Sequence, residues 1–355
     1  MAGGRSARPA ARLPARARCV TVRAASDARD AVLRVQTWGG RWGSALRGAV
    51  SRPFERATGV RVQHERHVGL ALAPSLLDAL HTGRRPPIDV VWSNSVPALN
   101  AALAGHCVPL DRARMPVLDA LRGRARPDGA PARSVVHPYV VYYVLGYHED
   151  AFPEGEPRSW HILFDERHRG RIALYPHGNG LHALAQTLQG GRVEDIPADM
   201  EACWSFLRRL RPQVTELEYS IGMEERLRAR HLDLCFRALP NVLAFQSDLP
   251  VGWCVPAEGT ADTTDALWVP RGVPDTVRDV AMRYIAFALR PDVQQDWCRQ
   301  LGVMPVHPAA GVPEMLRRPD LPAHADDFHG ILHIPESVKA AQQPEWEERF
   351  AEIFG

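Results

Sequence analysis

The sequence predicts an α/β fold of two doubly wound lobes, and three observations carry that expectation. Hydrophobic periodicity switches from two to about 3.6 within one short segment. The same strand-then-helix unit repeats along the chain, as in doubly wound sheets. Finally, 355 residues with 45% hydrophobic content exceed the roughly 100 to 200 residues of one domain, which gives two lobes.

The first unit occupies residues 33–60, LRVQTWGGRWGSALRGAVSRPFERATGV. Leu33 and Val35 alternate with Arg34 and Gln36, as in a strand. Beyond a Gly-rich turn, Leu46, Val50 and Phe54 recur every four residues, as on one face of a helix that stops at Gly59. Trp38, Gly39 and Gly40 fall at the carboxyl end of that strand, where open α/β sheets place ligands. Residues 60–63 read as the next strand and 72–80 as a helix closed by Gly83. The nearly unbroken apolar run 88–92 is typical of a central parallel strand. Ser95 then caps a helix, with Pro97 near its start and Gly105 just past its end. Later units are a strongly β-like stretch at 135–147, a Ser159-capped helix, and a strand at 171–175. They continue with a helix at 198–210 and strands near 232–236 and 251–255. There is no internal repeat.

Net charge is +2, which argues for neither nucleic acid nor an anionic membrane surface. Lys339 is the only lysine; the arginines are interspersed with comparable numbers of acids and read as a solvated mixed surface. Six cysteines, Cys19, Cys107, Cys203, Cys235, Cys254 and Cys298, form no C-x-x-C pair, so no zinc knuckle or thioredoxin-like motif is expected. Cys235 and Cys254 fall in neighbouring predicted strands; a disulfide and two buried thiols both remain open. No stretch approaches the roughly 20 apolar residues that span a bilayer.

The chain resembles ABC-transporter periplasmic solute-binding proteins, and within them the spermidine/putrescine-binding group. The residues that carry the likeness are Thr37-Trp38-Gly39-Gly40, Pro53-Phe54-Glu55 and Thr58-Gly59-Val60, then Asp89-Val90-Val91-Trp92-Ser93 and the stretch from Ser159-Trp160 to Gly170-Arg171. They end with the block MRYIAFALRPDVQQDWCRQLGVMPVHPAA at 282–310. The likeness covers roughly residues 31–312 and implies the type II binding fold, two lobes joined by a hinge. It places the first crossing between lobes at 135–147, around Pro138-Tyr139, and the return near 258–265. Lobe I is then expected at 31–137 plus 264–312, and lobe II at 138–263 plus 313–355. A solute-binding protein is exported, yet residues 1–30 contain no run of about 7 to 15 apolar residues. They are expected to be a disordered segment or one that follows a misplaced start, in an otherwise periplasmic protein.

The resemblance implies a non-enzymatic receptor that captures a small solute and delivers it to a membrane permease, with no cofactor, no nucleic acid and a monomeric state. Two other readings are a cytoplasmic ligand sensor and an enzyme on the same scaffold. Against the enzyme, no G-x-S-x-G elbow, Walker loop or H-E-x-x-H is present. Trp38 offers a ring face for a ligand, a cation-π wall if the ligand is an amine. Ser93, Asn94 and Ser95 occupy the second ligand loop. His177 and Asn179 lie in the loop formed by Pro176, Gly178 and Gly180, before a helix whose free N-H groups suit an anionic or polar group. Asp265 matches the acid that polyamine binders keep at the return crossing, with Glu258 near it. Their other acids and aromatics are replaced here by Pro176, Gly180, Ala238, Thr263 and Val303. Arg237 adds a donor fork suited to carboxylate or phosphonate. A polyamine-like amine and an amphoteric or anionic molecule therefore both stay open. His324, Asp326, Asp327, His329 and His333 cluster, but Pro322 and Gly330 argue against a regular helix, so a solvated loop is expected and no metal site.

Overall fold

A computed structural model describes residues 32–67, 71–218 and 222–355. The expectations for residues 1–30, and for Cys19, lie outside these. The chain opens with β1 (Val32–Trp38), a helical stretch of α1 (Gly40–Leu46) and α2 (Arg52–Thr58), then β2 (Arg61–His67), α3 (Pro74–Thr82), β3 (Val90–Asn94) and α4 (Ser95–Leu103). After a single turn, α5 (Val117–Ala120), and the short β4 (Val135–Val136), the long β5 (Tyr139–His148) leaves this half of the molecule. The second half contains β6 (Ile172–Leu174), α6 (Leu181–Leu188), α7 (Glu201–Leu210), β7 (Val214–Leu217), α8 (Met223–Arg228), β8 (Leu234–Ala238), α9 (Leu239–Phe245) and β9 (Val251–Cys254). β10 (Thr260–Trp268) returns to the first half, followed by α10 (Asp275–Ala288), α11 (Pro291–Leu301), β11 (Met304–Pro305), β12 (Ile331–Leu332) and α12 (Glu336–Phe354).

One sheet runs through both halves in the order β2-β1-β3-β10-β5-β8-β6-β7. β1 pairs in parallel with β2 and β3, and β6 with β7 and β8, while β5 and β10 run antiparallel to each other and to β8 and β3; the short β12 pairs in parallel with β10. β5 and β10 meet over three pairs only, Tyr142 with Asp262, Val141 with Thr263 and Val140 with Thr264. Each crossing strand thus serves one lobe with one end and the other lobe with the other.

Helices cover both faces of each half. The apolar stripe of the first helical stretch is buried, with Leu46, Val50 and Phe54 each at most 1% exposed. Between α1 and α2 the backbone widens into a π-helical turn over Arg47–Ser51, which absorbs the drift of a strict four-residue repeat on a 3.6-residue helix. Gly59 ends the stretch at φ 76°. The predicted alternation of β1 fails at its carboxyl end, where Gln36 and Thr37 are buried along with Leu33 and Val35. β1 lies between two parallel neighbours with helices above and below, so neither of its faces reaches water. The predicted strand at 88–92 starts two residues later because the Asp89 carboxylate accepts hydrogen bonds from the Arg34 N-H and the Arg85 guanidinium, both at 2.9 Å.

Cys235 and Cys254 are free and buried. Their strands are not neighbours: β8 and β9 pair with β5, Cys235 opposite Gly146 and Cys254 opposite Leu145. With β5 between them, two strand spacings of about 4.8 Å exceed the Cα separation a disulfide spans. Among the described residues, no helix is long and apolar enough to cross a membrane.

Candidate functional site

The turn after β1 carries Trp38, Gly39 and Gly40. Gly40 takes a left-handed φ of 59°, and a Cβ on Gly39 would collide with the Arg66 guanidinium. Glycine therefore lets the chain turn under an arginine at the end of β2. The Trp38 ring is half-buried and leans on Trp42, centroids 5.3 Å apart, and Trp42 leans on Tyr139 at 5.5 Å. Between them Arg41 donates to the Gln300 carbonyl and, at 2.9 Å, to the Leu243 carbonyl of α9, beyond the first crossing.

From Tyr139 the chain of contacts continues to Asp265 and Asn94. The Tyr139 hydroxyl donates to Asp265 Oδ2 at 2.5 Å and Asn94 Nδ2 donates to Oδ1 at 3.1 Å. Asp265 is only 4% exposed, and burial pushes its carboxyl up to about 7 despite these donors, with the Glu336 carboxylate adding to the rise. Both of its oxygens are thus engaged within the protein. Burial drives the Tyr139 hydroxyl well above its ordinary range as well, so it stays a donor.

Ser93 and Ser95 face inward. The Ser93 hydroxyl accepts the Trp268 indole N-H at 3.2 Å and donates to the Asn94 carbonyl. Ser95 does not cap its helix: Asn94 holds the cap position without a side-chain bond, and the Ser95 hydroxyl meets His137 Nε2 at 2.8 Å instead. The buried imidazole is a nearer partner than the helix N-H groups, and α4 begins uncapped. Glu258 is likewise taken, accepting from Ser159 Oγ and from the Trp160 N-H at the start of the 3₁₀ turn that Ser159 caps.

The loop after β6 turns sharply. His177 is exposed and left-handed at φ 62°, followed by Gly178 at 66° and Gly180 at 79°. A Cβ on Gly180 would strike the Tyr143 ring, so the turn presses directly on the first crossing strand. α6 starts at Leu181 with no side-chain cap. His177 and Asn179 from this loop, and Asn94 and Ser95 from the other half, line one recess that is open to solvent. Its floor is β10 at Ala261, Asp262 and Thr263. Its far wall is α12, which the sequence did not mark as part of any site.

Arg237 lies elsewhere. It is fully buried, donating to the carbonyls of Phe236 and Glu218 at 2.9 and 2.7 Å, with its guanidinium 4.3 Å from the Tyr175 ring centroid. Burial lowers its pKa, and it supports the β6 and β8 ends from behind. The histidine and aspartate cluster also works internally. Asp326 accepts the Gly123 and Arg124 N-H groups, Asp327 accepts those of Ala323 and His329, and His333 meets Asp262 at 2.8 Å. Burial pushes the Asp262 carboxyl up, but His333 and Arg124 outweigh it and hold it at about 2.

The structure thus brings Asn94, Ser95, His177 and Asn179 to one recess and links Trp38 to Asn94 and Asp265 through Trp42 and Tyr139. It sets Arg237 apart, and Trp38, Gly39, Gly40, Ser93 and Asp265 are not among the residues that line that recess. Trp42 was legible as the second tryptophan of TWGGRWG; Arg41 and the α12 residues carried no motif.

Residues 49–225 match the family model of bacterial extracellular solute-binding proteins. No curated protein matches the sequence. Solved structures share the fold across nearly the whole chain. An ABC transporter substrate-binding protein from Bradyrhizobium japonicum USDA 110 has 19% identity, covers 92% of this chain and 100% of its own, and gives a TM-score of 0.78. The binding protein AgtB from A. tumefaciens R10, in complex with agropinic acid, has 19% identity, 92% and 99% coverage, and a TM-score of 0.72. The spermidine/putrescine protein PotD from Streptococcus pneumoniae strain Canada MDR_19A has 15% identity, 92% and 100% coverage, and a TM-score of 0.71. The fold is that of type II periplasmic binding proteins.

Proposed function

Over residues 49–225 the chain belongs to the bacterial extracellular solute-binding proteins, and from that premise we propose that it is the periplasmic, monomeric receptor of an ABC importer, which captures a small polar solute between its lobes and delivers it to the membrane permease. The observation that carries this reading is the recess between halves that are joined at their crossings by only three strand pairs. Polar side chains from both halves face it, so a solute that bridges Asn94 to Asn179 binds the closed form better and shifts the hinge equilibrium.

The solute we propose is amphoteric or anionic, in preference to a polyamine. A diamine asks for a carboxylate at each ammonium, since an unpaired buried charge costs several kcal/mol. Asp265, the acid retained at the return crossing, has both oxygens occupied. The test is a thermal-shift panel of polyamines, amino acids, carboxylates and phosphonates, in which a ligand at 100 times its dissociation constant stabilises by about 2.7 kcal/mol. Trp38 reaches Asn94 at the recess through Trp42, Tyr139 and Asp265, so Trp38→Ala is expected to weaken that response while keeping its unliganded melting temperature within a few degrees. A full response in this variant would take Trp38 out of the site; a flat response of the parent across the panel would overturn the capture reading.

A further inference from the structure

The C-terminal helix α12 packs on α4 in the first half and on the Pro176–Gly178 turn in the second, and presents Lys339, Gln343, Trp346 and Glu347 to the recess. Lys339 is the one lysine in the chain. Its ammonium donates to the Asp262 carbonyl and to Glu336 Oε1, both at 2.9 Å. An ammonium has three N-H donors, and the third has no partner among the described residues. The same Glu336 Oε1 also accepts from the Thr263 hydroxyl and the Thr264 N-H, each at 3.3 Å, so this oxygen is shared among three donors.

Two helix amino ends also open here. α4, nine residues long, and α6, eight residues long, both begin at the recess without a side-chain cap, so their first-turn N-H groups and dipoles favour an anion. The independent sign of a missing partner is His182, the second residue of α6. It lines the recess, is 94% buried at 6% exposure, and its Nε2 has no hydrogen-bond partner. Burial, then the Lys339 charge, lowers its pKa to about 3, so it is a neutral donor or acceptor and not a second cation. Of the acids at the recess, Asp262 is paired with Arg124 and lies within hydrogen-bond distance of His333 Nδ1, and Glu336 is paired with Lys339. Glu347 remains at the rim, bonded to Gln343.

We infer that Lys339 is a ligand contact: with the open ends of α4 and α6 and with His182 it forms an anion subsite at the α12 end of the cleft, which takes a carboxylate of the captured solute. This rests on the capture reading and adds a polarity to it. The carboxylate end points at Lys339 and a cationic end, where the solute has one, at Glu347, over an apolar floor of Ala261, Leu332, Ile334 and Trp346.

Because the chain has one lysine, its reactivity reads the subsite directly. The full chain is treated with an amine-acylating reagent alone or with succinate, γ-aminobutyrate or putrescine, four-carbon probes with different end charges, and acylation of Lys339 is followed by peptide mass relative to a free lysine peptide in the same tube, so that reagent consumed by the amine probes cancels. Succinate and γ-aminobutyrate are expected to slow acylation, γ-aminobutyrate more, and putrescine to leave it unchanged. In thermal shift, Lys339→Gln is expected to weaken response to both carboxylates roughly tenfold and Lys339→Arg to retain most of it. Unchanged acylation with both carboxylates, or a Lys339→Gln response equal to the parent's, overturns the subsite. The acylation measurement on the parent decides the matter even where a variant folds poorly. If other solutes of the wider panel stabilise the protein while Lys339 acylates at its unliganded rate, the subsite fails and solute capture stands.

Discussion

Asp265 has its carboxyl held by two donors in a site almost closed to water, and this makes it a stability element with a readable pH dependence. In the folded chain it keeps its proton up to about 7, whereas an unfolded aspartate releases it near about 3.9. A folded pKa raised in this way gives stability that is complete below about pH 4 and lost as pH climbs to 7, on the order of 4 kcal/mol at 1.4 kcal/mol per pH unit. Asp265→Asn lacks that loss. Its amide can still accept the Tyr139 hydroxyl, and rotation of the Asn94 amide would offer it Oδ1, which now has no partner. The expected outcome in urea unfolding at pH 4.5 and pH 8 is that the stability difference between variant and parent moves in the variant's favour at the higher pH. A difference that does not change with pH would mean that Asp265 is ionised inside the protein. The sequence marked Asp265 as an acid at a crossing, but not that Tyr139, 126 residues away, would occupy it. Ser93, Ser95 and Arg237 were also legible as polar residues near strand ends, and burial turned each of them toward internal partners that only the tertiary pairing supplies.

At the scale of elements, strands and helices with clean periods were legible; β3 starts two residues late where Asp89 competes, and β2 runs four residues past its expected end, to His67. The turn into α6 is the sharpest case of an element held by a single residue. Gly180 has both a left-handed φ and no room for a Cβ beside Tyr143, so Gly180→Ala combines backbone strain with a clash against a buried ring. The expected cost is roughly 2 to 4 kcal/mol, measured as a shift in the urea midpoint at unchanged slope. A loss below about 0.5 kcal/mol, the range of ordinary surface changes, would show that the turn relaxes. Its glycines made the turn readable in the sequence. α12 was not readable as a site element for the opposite reason: Pro344 lies inside it and its residues follow no known pattern. Its place over the recess depends on where the 335 preceding residues bring the chain, and no local signal encodes that.

For the whole molecule the question is what holds the halves together without a solute. Three strand pairs at the crossing, α12 packed on both halves and an apolar cluster shared by α9 and the first half fix the hinge, and polar side chains then bias its closure. Arg41 spans that gap: it extends from α1 to the Leu243 carbonyl near the end of α9, where a cation also meets the negative end of a helix dipole. Hydrogen bonds from a charged donor contribute about 1.5 to 3 kcal/mol each, enough to move a hinge equilibrium by roughly tenfold or more. Arg41→Ala is therefore expected to open the unliganded protein, seen as a larger radius of gyration in solution scattering, and to weaken solute affinity by roughly tenfold because part of the binding energy then goes into closing. With saturating solute the two proteins should scatter alike, since the ligand restores closure. If Arg41→Ala leaves the unliganded curve unchanged while still weakening the solute, the arginine touches the ligand and is no latch; if neither changes, the Leu243 contact persists in the open form and closure is governed at the crossing strands themselves.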